Sequence, residues 1–404
     1  MAGIILSTNN HLGSVGVAHQ ARWIGYRFDF EDADALNALA GTPPNAQNAS
    51  SVIDISNNSW GETAFGGLGS AGTLYRSTIA TGATQGRGGK GIVYIFAAGN
   101  SGDPSDGFTQ DANYTVPQNL PQVISVAAVG SNGQLADYST QGAVVLVSGL
   151  SLGYKNGQPL GKGITTTKPY NTVSSEKYDF NFNGTSAAAP NVSGVVALML
   201  QANPNLTYRQ VRWILAQTSR KTDTTNSSWQ PSALGGTFSH AYGYGIADAG
   251  KAVELSKNPP VLGTQKSCVI DADDNTTITP ISSNASIPSQ RVFNASSCSI
   301  SKIEFVQLET EFNHDDFGTL SFQLASPNGY ISTLSSTHLC FIAAVCDYST
   351  TRLNNSFKDW TFGSVRHMNE VSNANSGKWI FSAYSTKDDV KSRLGKIRLI
   401  IWGV

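Results

Sequence analysis

Charged side chains are scarce in this sequence: Asp, Glu, Lys and Arg make up 14% of its 404 residues, against about 25% in an average soluble domain. Neither sign dominates, with 27 basic against 28 acidic residues, so the electrostatic footprint of a nucleic-acid or anionic-membrane binder is missing. No apolar run approaches the roughly 20 residues of a membrane span. The opening MAGIILSTNN has an apolar patch but lacks the basic flank and cleavage-type site of a signal peptide. Cysteine is absent before position 268; the four present are Cys268, Cys298, Cys340 and Cys346. More than one pairing is open. Cys268–Cys298 and Cys340–Cys346 join neighbours in sequence and are the favoured pair, which implies an oxidising compartment. A zinc site would need histidines at ligand spacing from them, and these are lacking.

Gly, Ser, Asn and Thr take the place of charge, as suits a loop-rich exported protein. Through residue 256, short β-branched runs alternate with helical patterns: RWIGYRF (22–28), VIDIS (52–56), IVYIFAA (92–98), VISVAAV (123–129) and AVVLV (143–147). Several are apolar at consecutive positions, as parallel strands covered on both faces should be. Helix candidates lie between them at 32–40 and around 70–83. This predicts an α/β fold, a doubly wound, mostly parallel sheet. A later helix after Ser186 is apolar nearly all round and belongs in a core. Another is opened by Thr207 and Gln210 as a capping pair. At Lys257-Asn258-Pro259-Pro260 the helical character stops, so 257–264 reads as a linker. Beyond it, apolar residues alternate with period two: Leu320, Phe322 and Leu324 share a face, as do Ile397, Leu399 and Ile401. Residues 265–404 are therefore expected to form an all-β, jelly-roll-like sandwich.

The chemistry is carried by NFNGTSAAAPNVSGVVALML, residues 181–200. A glycine allows close backbone approach, and small alanines let the helix start lie against a substrate. A serine there feels the positive end of the helix dipole, with free amides able to face a developing oxyanion. Pro190 near the helix start is tolerated because early amides lack intrahelical partners. A serine before a helix can equally be a simple cap.

The string GTSAAAP resembles the nucleophile motif of subtilisin-like serine proteases, and with ANPNLTYRQV downstream it resembles their kexin/furin branch. AAGNSG (97–102), SNNSWG (56–61) and YGYGIADAGKAVELS (242–256) extend the resemblance across 1–256. NHDDFGTLSFQLASPNG, SGKWIFSAYS and LGKIRLIIWG extend it to the P domain, the sandwich that follows the catalytic domain in that branch. The resemblance implies a serine endopeptidase with Ser186 as nucleophile and Asn100 as oxyanion donor. Ser59, Trp60 and Gly61 would pair with an extended peptide by strand addition. In that family the catalytic histidine stands in a His-Gly-Thr helix start, which ungapped alignment puts just ahead of Met1, with the aspartate's strand further upstream. The expectation is thus a chain truncated at its N-terminus, lacking the catalytic Asp and His, folding poorly and inactive alone. The alternatives are a non-catalytic peptide-binding protein and one half of a split enzyme.

The branch prefers Lys or Arg before the cleaved bond. The resemblance places Asp111 on its pocket aspartate, with Glu62 as a helper, and Asp106 on a calcium-binding aspartate. Ala64 and Thr140 stand where the family has further acids, which weakens the calcium set, because hard cations want several charged oxygens. STNNHLGSVG (7–16) resembles a loop binding a second calcium through Asn10. The implied partners are a peptide or protein substrate and a propeptide or chaperone, with no nucleic acid and no membrane span. The implied location is secreted or periplasmic. Asp315-Asp316 and Asp388-Asp389 read as solvated turn residues.

Overall fold

The computed structural model describes residues 1–26, 32–42, 53–70, 72–168, 177–274, 278–349, 360–387 and 392–404. Four parallel strands form one sheet: β1 (Ile55–Asn58), β2 (Val93–Ala97), β3 (Val123–Val129) and β4 (Val145–Leu150), hydrogen-bonded in that order. Every residue of β2 and β3 is buried, which is why their sequences are apolar at consecutive positions rather than alternating. The run at 22–28 was expected to be a strand. Residues 22–26 are not one, and Trp23 and Ile24 are 67% and 44% exposed; residues 27–28 lie outside the described set. Among the described residues no sheet pairs with this segment, and an apolar pattern without a pairing partner does not make a strand.

Helices flank the sheet: α1 (Ala2–Leu6), α2 (Asp32–Ala40), α3 (Thr73–Gly89), α4 (Thr185–Ala202), α5 (Tyr208–Thr218) and α6 (Ala249–Lys257). α4 packs against all four strands and against α1 and α6, so it is buried on nearly every side, through Val192, Val196 and Met199. α5 carries the expected capping box, with Thr207 and Gln210 bonding each other's backbone amides.

After α6 the chain has no helix or strand until Lys266–Asp271. The remainder forms two antiparallel sheets. One is built on Lys266–Asp271, Arg393–Gly403, Ile303–Asn313 and Trp360–Ser364; the other on Ser289–Asn294, Lys378–Ser385, Leu320–Ala325 and Ile331–Ser335. Leu320, Phe322, Leu324, Ile397, Leu399 and Ile401 all face inward and are buried. Cys268–Cys298 and Cys340–Cys346 are both bridged. The sandwich and the parallel sheet share one continuous core. Polar bonds stitch the seam: Trp360 Nε1 donates to Asn113 O at 2.8 Å, Tyr244 Oη to Val365 O at 2.8 Å, and Arg209 pairs with Glu304.

Candidate active site

Ser186 sits in the first turn of α4, whose N-cap is Gly184 at φ 79°, a left-handed conformation suited to glycine. The turn is held from three sides. Tyr138 Oη accepts the Gly184 amide at 3.0 Å. Asn100 Oδ1 accepts both the amide and the hydroxyl of Thr185, each at 2.8 Å. The Ser59 hydroxyl donates to Ser186 O at 3.0 Å.

That last bond explains Pro190. The helix begins at Thr185, so Pro190 lies in its second turn rather than at its start. An amide at 190 would have bonded Ser186 O; proline has none, and the Ser59 hydroxyl takes its place. The proline thus frees a carbonyl that ties the serine turn to the segment following β1.

Ser59–Thr63, Ala97–Ser101, Gln110, Thr115, Gln118, Thr185 and Ser186 line a cleft of about 220 Å³. Because Oδ1 of Asn100 is occupied by Thr185, its Nδ2 is directed elsewhere and can donate to a ligand. The Ser186 amide, among the first of the helix, has no intrahelical acceptor by position. Asn100 and Ser186 line the same cleft. Trp60 packs on Phe96 and Tyr75, with ring centroids 5.4 and 6.0 Å apart. A Cβ on Gly61 would lie 2.5 Å from Gln118 Nε2, so a larger residue there would require the Gln118 side chain to move.

The structure therefore brings Ser59, Trp60, Gly61, Asn100 and Ser186 together. It does not bring Asp111, Asp106 or Asn10 to that cleft. Asp111 is absent from the cleft lining; its carboxylate accepts the Asn113 amide at 2.8 Å and lies under Gly142. The residue keeps a partly exposed edge, but burial of the carboxyl pushes its pKa up to about 8. Glu62 does line the cleft, with its carboxylate on the amide and hydroxyl of Ser70. Thr140, in place of a family acid, is buried and holds the Ser101 amide. Sequence reasoning missed Gln110, Gln118, Tyr138 and Thr185; of these, only Thr185 lay inside a recognisable motif.

None of the six histidines lines the cleft. His240 accepts the Thr333 amide, His314 the Asp316 amide; His338 faces Gly66 O; His367 pairs with Glu370. His11 is exposed and His19 partly so. The hydrogen bond of the Ser186 hydroxyl among the described residues goes to Ser59 O, at 3.4 Å.

Calcium fits poorly to the two residues assigned to it. Asp106 is exposed in the turn Pro104–Asp106, whose capping carboxylate, Asp103, is spent on Ser105. Among the described residues no acidic cluster of three surrounds it. Asn10 Oδ1 is used by the Leu12 amide. Hard cations need several oxygens at once, and among the described residues no cluster of three acidic side chains stands at either place.

Residues 1–245 match the signature described as the subtilase family (peptidase S8), and residues 303–401 match the proprotein convertase P-domain. The chain belongs to the subtilase family. Within it the chain is kexin/furin-like: it is 31% identical to rat furin over 98% of its length, and 29% identical to protease KEX1 of Kluyveromyces lactis over 100%. It spans 46% and 49% of those proteins, about half their length. The subtilase fold is shared with a serine protease of Aeromonas sobria, at TM-score 0.81 and 20% identity, covering 100% of this chain and 80% of that one. The same protease solved with its chaperone gives TM-score 0.80, covering 99% and 79%. Among the described residues no helix is long and apolar enough to cross a membrane.

Proposed function

We propose that this subtilase chain carries the nucleophile, the oxyanion donors and the substrate edge of a kexin-type serine endopeptidase. The observation that supports it is the meeting of Ser186, Asn100 and Ser59–Gly61 on one cleft, tied by Thr185 and Ser59. Ser186 attacks a peptide carbonyl, Asn100 Nδ2 and the Ser186 amide hold the oxyanion, and an extended peptide pairs along Ser59–Gly61.

The proton acceptor is the weak part. No histidine of this chain stands beside Ser186, so the 404-residue polypeptide by itself is a poor nucleophile. Loss of the histidine from such a site lowers turnover by about 10⁶ and leaves about 10³–10⁴ over water from the oxyanion hole and binding. The preference for a basic residue before the cleaved bond rests on Glu62, the carboxylate on the cleft, rather than on Asp111. Calcium is not assigned a role. The two disulfides fit a secreted or periplasmic protein, and a chaperone or propeptide is a proposed folding partner.

A second reading, a peptide-binding protein without catalysis, is favoured by the same placement of the histidines. Hydrolysis of an activated ester separates the two. The first reading expects residual turnover about 10³ over water that the oxyanion donors supply, reduced in Asn100→Ala and little changed in Ser186→Ala. Binding of extended peptides with no turnover that depends on Asn100 would leave the second reading standing.

A further inference from the structure

The sandwich contributes a loop closed by the Cys340–Cys346 disulfide, and this loop and its flanks bond the two segments that continue from the cleft walls. The Phe341 amide donates to Phe65 O at 3.0 Å, and Tyr348 Oη accepts the Leu68 amide at 2.7 Å. On the opposite wall, the Thr109 amide donates to Leu339 O at 3.1 Å. The first wall is the stretch directly after Gly61 and Glu62; the second leads into Gln110. Phe65, Phe108 and Phe341 pack together over the join.

His338 is at the root of this loop, and both of its ring nitrogens face carbonyl oxygens. Nε2 lies 2.6 Å from Gly66 O, and Nδ1 lies 2.7 Å from Ser336 O. A carbonyl only accepts, and a neutral imidazole carries a single N–H. Both contacts are hydrogen bonds only when both nitrogens are protonated. Tyr114 Oη, 3.3 Å from Nδ1, offers a further acceptor, and the rings of Tyr114 and Phe317 stand 5.1 and 5.5 Å away. Among the described residues no carboxylate pairs with the ring. The other titratable groups on the surrounding elements include Glu62, held by Ser70, Asp111, turned onto Asn113, Asp316, bonded to the Gly318 amide, Asp347, bonded to the Ser349 amide, and Tyr348. Cys340 and Cys346 lie near the ring but are joined to each other, so the group is not a metal site.

We propose that His338 is a positioning residue of the cleft: as an imidazolium it clamps the sandwich loop to the cleft wall at Gly66, and peptide binding is strongest with the clamp closed. Losing one proton turns a lone pair onto a carbonyl at hydrogen-bond distance and releases one end of the clamp. Binding therefore weakens when the ring gives up its second proton. This rests on the reading of the cleft as the peptide site.

The test has two arms. Long-range proton–nitrogen NMR on the nitrogen-15 chain, with His338→Gln to assign the ring, should show both nitrogens protonated at pH 6; a ring with one bare nitrogen at that pH overturns the proposal. Affinity for an extended peptide of the chain as it stands should fall about 3–10-fold from pH 6 to pH 8. It should be nearly flat in His338→Gln, which keeps one donor, and fall as in the parent in Asp111→Asn. A pH profile that disappears in Asp111→Asn instead, or persists in His338→Gln, overturns it as well. Should no peptide bind at any pH, the reading of the cleft fails. The clamp is then judged by the NMR arm and by exchange protection of the Leu68 and Gly69 amides, which should drop over the same interval.

Discussion

Replacing Ser59 by Ala tests the account of the serine turn at a single atom. The Ser59 hydroxyl is the donor to Ser186 O, the carbonyl that Pro190 leaves without its helical partner. Removing the hydroxyl strands a partly buried acceptor, which costs about 1–3 kcal/mol; partial access to water puts the expected value near the lower end, about 1 kcal/mol. Pro190→Ala alone should change stability little: the new amide reaches a carbonyl already bonded, while the unfolded chain gains about 0.4–1 kcal/mol of entropy. In the double variant the new amide at position 190 donates to Ser186 O in place of the lost hydroxyl. The cycle should therefore show a coupling of about 1 kcal/mol, with Ser59→Ala nearly silent once Pro190 is gone. Urea unfolding of the four proteins measures it. Additive effects, with Ser59→Ala equally costly in both backgrounds, would refute the reasoning that proline and hydroxyl are one device.

Asp111 gives a pH signature. Its folded pKa of about 8 lies above the ordinary value of 3.8, so the folded state binds the proton more tightly. The stability this confers is fully present below about pH 4 and is lost as pH rises towards 8, by at most about 1.4 kcal/mol per pH unit. Asp111→Asn keeps the acceptor for the Asn113 amide, so it should remove that decline and melt higher than the parent at pH 8; a lower melting point there contradicts the buried neutral carboxyl. Glu62→Gln should abolish any preference for peptides with Arg over Leu before the scissile bond, whereas Asp111→Asn should retain it, as read by peptide affinity. Glu304→Ala should destabilise by about 3 kcal/mol, since it leaves Arg209 unpaired at the seam between sandwich and parallel sheet; loss below about 0.5 kcal/mol would show that the pair is idle. Chelation by EDTA should leave the melting temperature unchanged, and a fall of several degrees would reveal a cation cage that Asp106 and Asn10 do not form.

The order of elements was legible because it rests on local patterns. Val123–Val129 is a buried strand end to end, Thr207 and Gln210 cap α5 as their spacing demands, and Leu320, Phe322 and Leu324 share the inner face. The serine, the asparagine and the edge Ser59–Gly61 were legible as motifs, and the structure brings all of them to one cleft. What could not be read depends on contacts between distant segments. Trp23 and Ile24 have the composition of a strand, but among the described residues no sheet pairs with them. Asp111 has the right spacing from Asn100, yet its carboxylate turns onto Asn113 beneath Gly142. Gln118 reaches the cleft after the Val116–Pro117 turn, and the grip of His338 on Gly66 joins residues 272 apart. No periodicity or motif encodes these.

Digestion of casein by the purified 404-residue chain, compared with its Ser186→Ala variant, tests most directly the claim that this cleft holds a nucleophile with no histidine beside it. The account predicts no turnover on casein above that of the variant. Turnover that depends on Ser186 and reaches the ordinary enzymatic range of about 1–10³ s⁻¹ would contradict it.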